Sequence, residues 1–128
     1  RLWILSQMEE DFTALNIFDV SRIKGKFNLS SLEKAFNYVI NRHEILRTNI
    51  VLVEGEPKQL IRDRVDFKIE LEEVASEEEA ERIIEEESRR SFDLERDMLL
   101  RVKLLKVREE YLLLFSMHHI IGDGWSMG

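Results

Sequence analysis

The most telling hydrophobic pattern in the chain is Tyr111-Leu112-Leu113-Leu114-Phe115-Ser116-Met117, which is apolar at both odd and even positions. Strands covered on both faces read this way, whereas a half-exposed strand alternates, so this run predicts a central strand. Leu99 to Val107 has a similar character and pairs with it across Arg108-Glu109-Glu110. Elsewhere the alternation is cleaner. Phe67, Ile69 and Leu71 alternate with Lys68, Glu70 and Glu72, the signature of a half-exposed strand. Leu15 to Phe27 is strand-like, with Phe18 and Val20 on one parity, Ile17 and Ile23 on the other, and a bend at Lys24-Gly25-Lys26. Thr48 to Val53 and Gln59 to Ile61 read as two strands around a turn at Glu54-Gly55-Glu56-Pro57.

Two stretches switch to the helical period. Ser30 and Glu33 form a capping-box pattern ahead of Leu32, Ala35, Phe36, Val39, Ile40 and His43, whose spacing defines one buried stripe. At 100° per residue His43 lies within that stripe, and Arg42 and Arg47 flank it, both placed to reach inward. Ser76 and Glu79 repeat the capping pattern and open a helix with Ala80, Ile83 and Ile84 inward. Glu77, Glu78 and Glu79 at its start and Arg89 and Arg90 at its end suit the helix dipole, and Glu78–Arg82, Glu85–Arg89 and Glu86–Arg90 stand four apart as candidate surface pairs. Residues 1 to 8, with Leu2, Trp3, Leu5 and Met8 apolar, are a further short helix candidate. Helices interleaved with strands and hairpins predict an α/β fold, a mixed sheet with helices packed on it.

Composition narrows the classes of function. A formal net charge of −7, without any basic stripe, argues against a nucleic-acid partner, because phosphate binding needs clustered Lys and Arg. Zero cysteines exclude a disulfide framework and a thiolate metal site, and fit a cytoplasmic setting. No apolar run reaches the ~18 residues a membrane span requires, so no membrane partner is expected. With 128 residues the chain is one domain or part of one. It lacks an initial Met and stops just after its most unusual turn, as an excised piece would.

That turn follows the central strand: Met117-His118-His119-Ile120-Ile121-Gly122-Asp123-Gly124-Trp125. Side chains alternate along a strand, so His119 is expected on the face of Phe115 and Met117, and His118 on the face of Leu114 and Ser116. The two therefore serve different ends. Gly122 and Gly124 permit a sharp turn that leaves a histidine at its lip. Asp123 suits the N-cap of a helix beginning at Gly124, and Trp125 suits packing. His118, His119 and Asp123 are metal-ligand types, but opposite faces and the lack of a second pair argue against a metal site. Gly124-Trp125-Ser126-Met127-Gly128 matches the G-x-S-x-G elbow of hydrolases, yet both histidines precede the serine, the reverse of that fold's order.

His118-His119-Ile120-Ile121-Gly122-Asp123-Gly124 resembles the HHxxxDG motif of nonribosomal peptide synthetase condensation domains, and two further stretches agree in order and spacing. Arg1-Leu2-Trp3-Ile4-Leu5 is similar to the end of that family's first motif, and Arg42-His43-Glu44-Ile45-Leu46-Arg47-Thr48 to its second, RHExLRT. Ser91-Phe92-Asp93-Leu94 extends the likeness, with Ser91 where the family often has Pro. The resemblance implies the chloramphenicol acetyltransferase-like two-lobed fold, of which residues 1–128 are the N-terminal lobe, truncated at both ends, folded but inactive without the C-terminal lobe. It implies amide bond formation between a donor acyl or peptidyl thioester and an acceptor aminoacyl amine, with His119 as base or amine-positioning group. His118, Asp123 and Gly124 would shape the turn, and Asp123 would pair with Arg42 or Arg47. No cofactor would bind directly. Substrates would arrive on the phosphopantetheine of upstream and downstream peptidyl carrier domains, beside an adenylation domain of the same antibiotic-producing synthetase. The alternatives are an epimerisation domain of the same superfamily and a non-catalytic lobe that docks carrier domains.

Overall fold

A computed structural model describes residues 16–121. The elements run β1 (Ile17–Ile23), α1 (Leu29–Arg42), a 3-10 turn (Glu44–Arg47), β2 (Thr48–Val53), β3 (Glu56–Ile61), β4 (Glu70–Val74), α2 (Glu77–Arg89), β5 (Leu100–Val107) and β6 (Glu110–Met117). The helix expected within residues 1 to 8 lies outside the described residues. Four strands form a sheet in the order β1-β6-β5-β4, and β2 and β3 form a separate hairpin. β6 is antiparallel to both β1 and β5, while β4 joins β5 in parallel, so the sheet is mixed as the sequence predicts.

The doubly apolar run is indeed central. Leu100, Val102, Leu104 and Met117 share one cluster with Ile40, with Phe36 and Leu32 of α1 against it. Leu105, Val107, Leu112 and Leu114 face the other way, onto Ala80 and Ile83 of α2. Leu104 and Leu105, adjacent in sequence and both 0% exposed, point into different layers. Each such side chain contributes roughly 1.5–3 kcal/mol by its removal from water, which makes the β5–β6 hairpin the core of the fold.

Helix α1 is rotated and shifted from its predicted setting. Asn28, not Ser30, is the N-cap, its side chain accepting from the Ser31 amide. Glu33 is thereby released from the expected capping box, and its Oε2 accepts instead from the Ile69 amide at 2.9 Å. Ala35 and Val39 turn outward, and the inward face carries Asn37 and Asn41 beside Phe36 and Ile40. Asn37 accepts from the Phe67 amide at 2.7 Å and donates to the Phe67 carbonyl at 2.8 Å. Asn41 does the same to Val65, at 2.9 and 2.8 Å.

Glu33, Asn37 and Asn41 thus form a ladder along the helix that pairs with alternate residues of an extended segment. The match is geometric: four helix residues rise about 6 Å, and two extended residues advance about 6.6 Å. Each asparagine also donates to the carbonyl one turn earlier, to Glu33 or Asn37, which fixes its amide plane. Consequently Phe67 and Ile69 are buried against α1, and the strand β4 begins only at Glu70. The alternation expected through Leu71 breaks there: Leu71 is 47% exposed and Val74, of opposite parity, is buried.

Three smaller differences have local causes. Glu54 and Gly55 both take positive φ, 53° and 82°, so the β2–β3 turn is a two-residue turn and β3 starts at Glu56, with Pro57 already paired to Leu52. β6 likewise starts at Glu110, after a turn through Arg108 and Glu109. On α2 the Ser76 cap forms as predicted, accepting from Glu79. Of the expected surface pairs Glu85–Arg89 is present at 2.7 Å, whereas Arg82 reaches Glu86 at 2.9 Å and Arg90 reaches Glu87 at 3.5 Å. Several acids within one turn of each arginine compete for it, and such exposed pairs differ by only ~0.3 kcal/mol.

The ladder gives a direct expectation. Asn37→Ala strands the Phe67 amide and carbonyl and should destabilise the fold by about 1–3 kcal/mol in urea titration. Hydrogen exchange should show faster exchange of the Phe67 amide than of Leu104; unchanged protection at Phe67 would exclude the ladder as its anchor.

Candidate active site

The site lies where β6 ends, beside the start of β5 and the loop preceding it. Ile17 of β1 and Leu100 of β5 both pair with Met117, so the sheet extends fully to the last residue of β6. His118 continues it by one bond, its amide donating to the Leu99 carbonyl at 2.9 Å. The next residue begins a helix, spanning His119 to Ile121 within the described residues. Strand alternation thus governs His118 and stops at His119.

His118 is 2% exposed. Ser116 is opposite Arg101, and the Arg101 guanidinium carbon lies 3.8 Å from the centre of the Phe92 ring, which His118 also meets, at 6.0 Å and 80° between planes. His118 Nδ1 accepts from the Ile120 amide at 3.1 Å, and its carbonyl accepts from the Ile121 amide at 3.2 Å. The imidazole therefore caps the helix that carries His119. Burial pushes the His118 pKa down from its ordinary value, and the neighbouring His119 pushes it the same way. A neutral ring is also the form able to accept at Nδ1. His119 is half-buried at the helix start.

The second predicted group splits in two. Arg47 is 8% exposed, with Nε donating to the Arg62 carbonyl at 2.8 Å and Nη1 to the Ile40 carbonyl at 3.0 Å. Arg42 does not reach inward as expected. It is exposed, donates to the Tyr38 hydroxyl at 2.9 Å and lies 5.6 Å from that ring's centre. The reason is that α1 ends at Arg42: His43 is extended, at φ −123°, and the following 3-10 turn swings Arg47 inward out of helical phase. His43 accordingly is a half-buried helix C-cap and not a member of the helical stripe. Gly122, Asp123, Gly124 and Trp125 lie outside the described residues.

Three polar residues unmarked by sequence periodicity organise the surroundings. Asn49, 1% exposed, donates to the Leu94 carbonyl at 3.0 Å and the Asp97 carbonyl at 2.6 Å, and accepts from Arg62 Nε at 2.7 Å. With the Ile50 amide bonded to Leu94, the β2–β3 hairpin grips the turn at residues 93–97. Arg101 donates to the Ser91 and Arg90 carbonyls at 3.1 and 2.8 Å, holding the entry to the same loop. Polar residues inside strands were the available signal for Asn49 and Arg101. A groove of about 930 Å³ along α1, lined by Lys34, Asn37, Tyr38, Arg42, Arg64 and Lys68 among others, includes neither histidine. Among the described residues no three His, Asp or Glu side chains gather as a metal site, and no helix is long and apolar enough to cross a membrane.

The family model for the condensation domain matches residues 1–128. This chain belongs to the condensation-domain family. It is 42% identical over its whole length to bacitracin synthase 3 of Bacillus licheniformis, spanning 2% of that protein, and 40% identical to surfactin synthase subunit 1 of Bacillus subtilis, spanning 4%. Among solved structures it is similar to the X-domain in the complex of the X-domain and OxyB from teicoplanin biosynthesis, at 29% identity and a TM-score of 0.79 over 92% of this chain and 26% of that one. The four-domain nonribosomal peptide synthetase AB3403 shares the fold, at 21% identity and a TM-score of 0.76 over 98% of this chain and 10% of that one. The condensation-domain fold is chloramphenicol acetyltransferase-like, and the mixed sheet with helices on both faces is its form in this chain.

The buried His118 of this condensation-domain chain predicts a pH dependence. Its native pKa is depressed, so below the ordinary value of about 6.5 the unfolded chain binds a proton that the native state refuses. Stability should fall as pH drops through that value and be unaffected by this group above it. His118→Asn, which retains an acceptor for the Ile120 amide, should flatten this part of a melting-temperature profile; an unchanged slope would show that His118 is protonated as easily in the native state.

Proposed function

We propose that this chain is the N-terminal lobe of a condensation domain that forms amide bonds in nonribosomal peptide synthesis, with His119 at the reacting centre. The observation that carries the reading is the division of the histidine pair. His118 is locked into the scaffold, while His119 stands half-buried on the first turn of a helix capped by its neighbour. An imidazole titrates near neutrality and can accept a proton from an attacking amine. The acceptor amine attacks the donor thioester carbonyl, the C–N bond forms, and the C–S bond breaks as the carrier thiolate leaves. His119 takes the amine proton and returns it to the sulfur, or orients the amine for attack. Donor and acceptor arrive on the phosphopantetheine arms of peptidyl carrier domains, in a cytoplasmic synthetase that also contains an adenylation domain. The second lobe completes the site, so residues 1–128 alone fold without turning over.

Two other readings compete within the same fold. An epimerisation domain would use the same pair of histidines. A docking lobe without chemistry has a specific observation behind it, since the similar teicoplanin X-domain was solved in complex with OxyB. Retention of His119, Asp123 and Gly124 together favours catalysis.

In the intact protein His119→Ala should lower single-turnover amide formation by ~10²- to 10⁴-fold with little change in melting temperature. A well-folded variant with full turnover would remove the assignment, and epimerised donor without amide product in the wild type would select the epimerisation reading.

Asp123 is assigned to Arg47 and not Arg42. Arg47 is buried, and among the described residues its partners are carbonyls, leaving its charge to be balanced. Asp123→Ala and Arg47→Met should each cost ~3–5 kcal/mol in urea unfolding, while Arg42→Ala stays near zero. A large cost for Arg42→Ala with none for Arg47→Met would reverse the pairing.

A further inference from the structure

The loop before β5, the start of β5 and the end of β6 meet in a three-membered stack. Arg101 lies over one side of the Phe92 ring at 3.8 Å, within the range where a cation is attracted to the aromatic face. His118 meets Phe92 edge to face at 6.0 Å, the orientation that places a ring's positive rim against the other's negative face. Phe92 and His118 are each 2% exposed, so neither ring can swing without opening the core. Arg101 is itself fixed by its two bonds to the Ser91 and Arg90 carbonyls, immediately before Phe92 in sequence. Its Nε is buried without an acceptor among the described residues. An unbonded buried N–H is costly, so hydrogen bonding at Nε is not what sets this rotamer; the stack and the two carbonyls are.

The stack leads toward the reacting group. His118 Nδ1 holds the Ile120 amide, which belongs to the first turn of the helix that starts at His119. Rotation of the His118 ring would release that amide and let the helix start, and His119 with it, shift. We propose that Phe92 and Arg101 are positioning residues for His119, acting through the His118 ring. The proposal rests on His119 being the reacting residue, as argued above. It adds that the aim of His119 is set by side chains of the loop before β5 and of β5 itself, far from it in sequence.

The test uses the intact protein carrying Phe92→Leu, Arg101→Lys or Arg101→Met, with donor and acceptor loaded on their carriers. Phe92→Leu keeps apolar volume and removes the ring. Arg101→Lys keeps a cation over the ring and loses the two-carbonyl fork, and Arg101→Met loses both. Phe92→Leu and Arg101→Met should lower kcat by about 10- to 100-fold, the cost of a misplaced group, with KM for the acceptor carrier unchanged. Arg101→Lys should fall between Arg101→Met and wild type. Nitrogen-15 histidine spectra should show the His118 and His119 resonances moving in both strongly affected variants. Val107→Ala, at the far end of β5, serves as a control for destabilisation alone and should leave kcat and both resonances in place. Losses that merely follow the folded fraction, as in Val107→Ala, would overturn the proposal, as would wild-type kcat in a folded Phe92→Leu. If His119→Ala keeps turnover, the reading of His119 fails instead. The coupling is then upheld if the His119 resonance moves in Phe92→Leu and overturned if it stays.

Discussion

The β5–β6 hairpin is covered on both faces, and the rest of the architecture follows from the need to provide those covers. Leu104 and Leu105, or Leu113 and Leu114, are neighbours in the chain that must enter different apolar layers. One helix cannot serve both. The chain therefore sends α1 to one face and α2 to the other, and closes the edges with antiparallel β1 and parallel β4. The residue that follows this enclosed strand, His118, remains buried because its amide still bonds to Leu99 and the loop before β5 covers it. The residue proposed to react, His119, follows directly at that exit and is the first one outside strand geometry.

Around this apolar centre, side-chain amides take the place of sheet edges. Glu33, Asn37 and Asn41 hold residues 65–69 extended without a neighbouring strand, and Asn49 holds the Leu94–Asp97 turn. Backbone groups excluded from water must find partners, and a side-chain amide offers a donor and an acceptor at the spacing of a peptide. This arrangement ties four sequence-distant pieces together: α1, the β2–β3 hairpin, the segment leading into β4 and the loop leading into β5. Arg47 and Arg62 join the same region through main-chain carbonyls. Apolar packing alone would leave these loops free to slide, whereas directional bonds fix their register.

The division of labour between the two histidines follows from where each stands. His118 is held neutral by burial and serves as acceptor, ring contact and helix cap at once. His119 inherits its place from that cap. In the role proposed for His119, a group carried on a helix start and braced by a buried neighbour would have its orientation set before substrate arrives, the condition for effective proton transfer or amine positioning. Membership in the condensation-domain family gives this geometry its chemical setting.

Local chemistry was enough to determine much of this from sequence. The doubly apolar run of β6, the Ser76 cap of α2, the turn at Glu54-Gly55 and the burial of His118 all depend on residues within a few positions of one another, where propensity and alternation act. The histidine motif is equally local, and with two companion motifs it named the family. Tertiary structure decided the rest, because partners far apart in sequence leave no periodic trace. Ile69 takes Glu33 from its expected cap, Val65 and Phe67 make inward residues of two asparagines, and the turn at His43 separates Arg42 from Arg47. The contacts of Phe92 with Arg101 and His118 belong to this second class: nothing in the sequence links the three residues, and only the closing of the sheet brings the two rings and the guanidinium together.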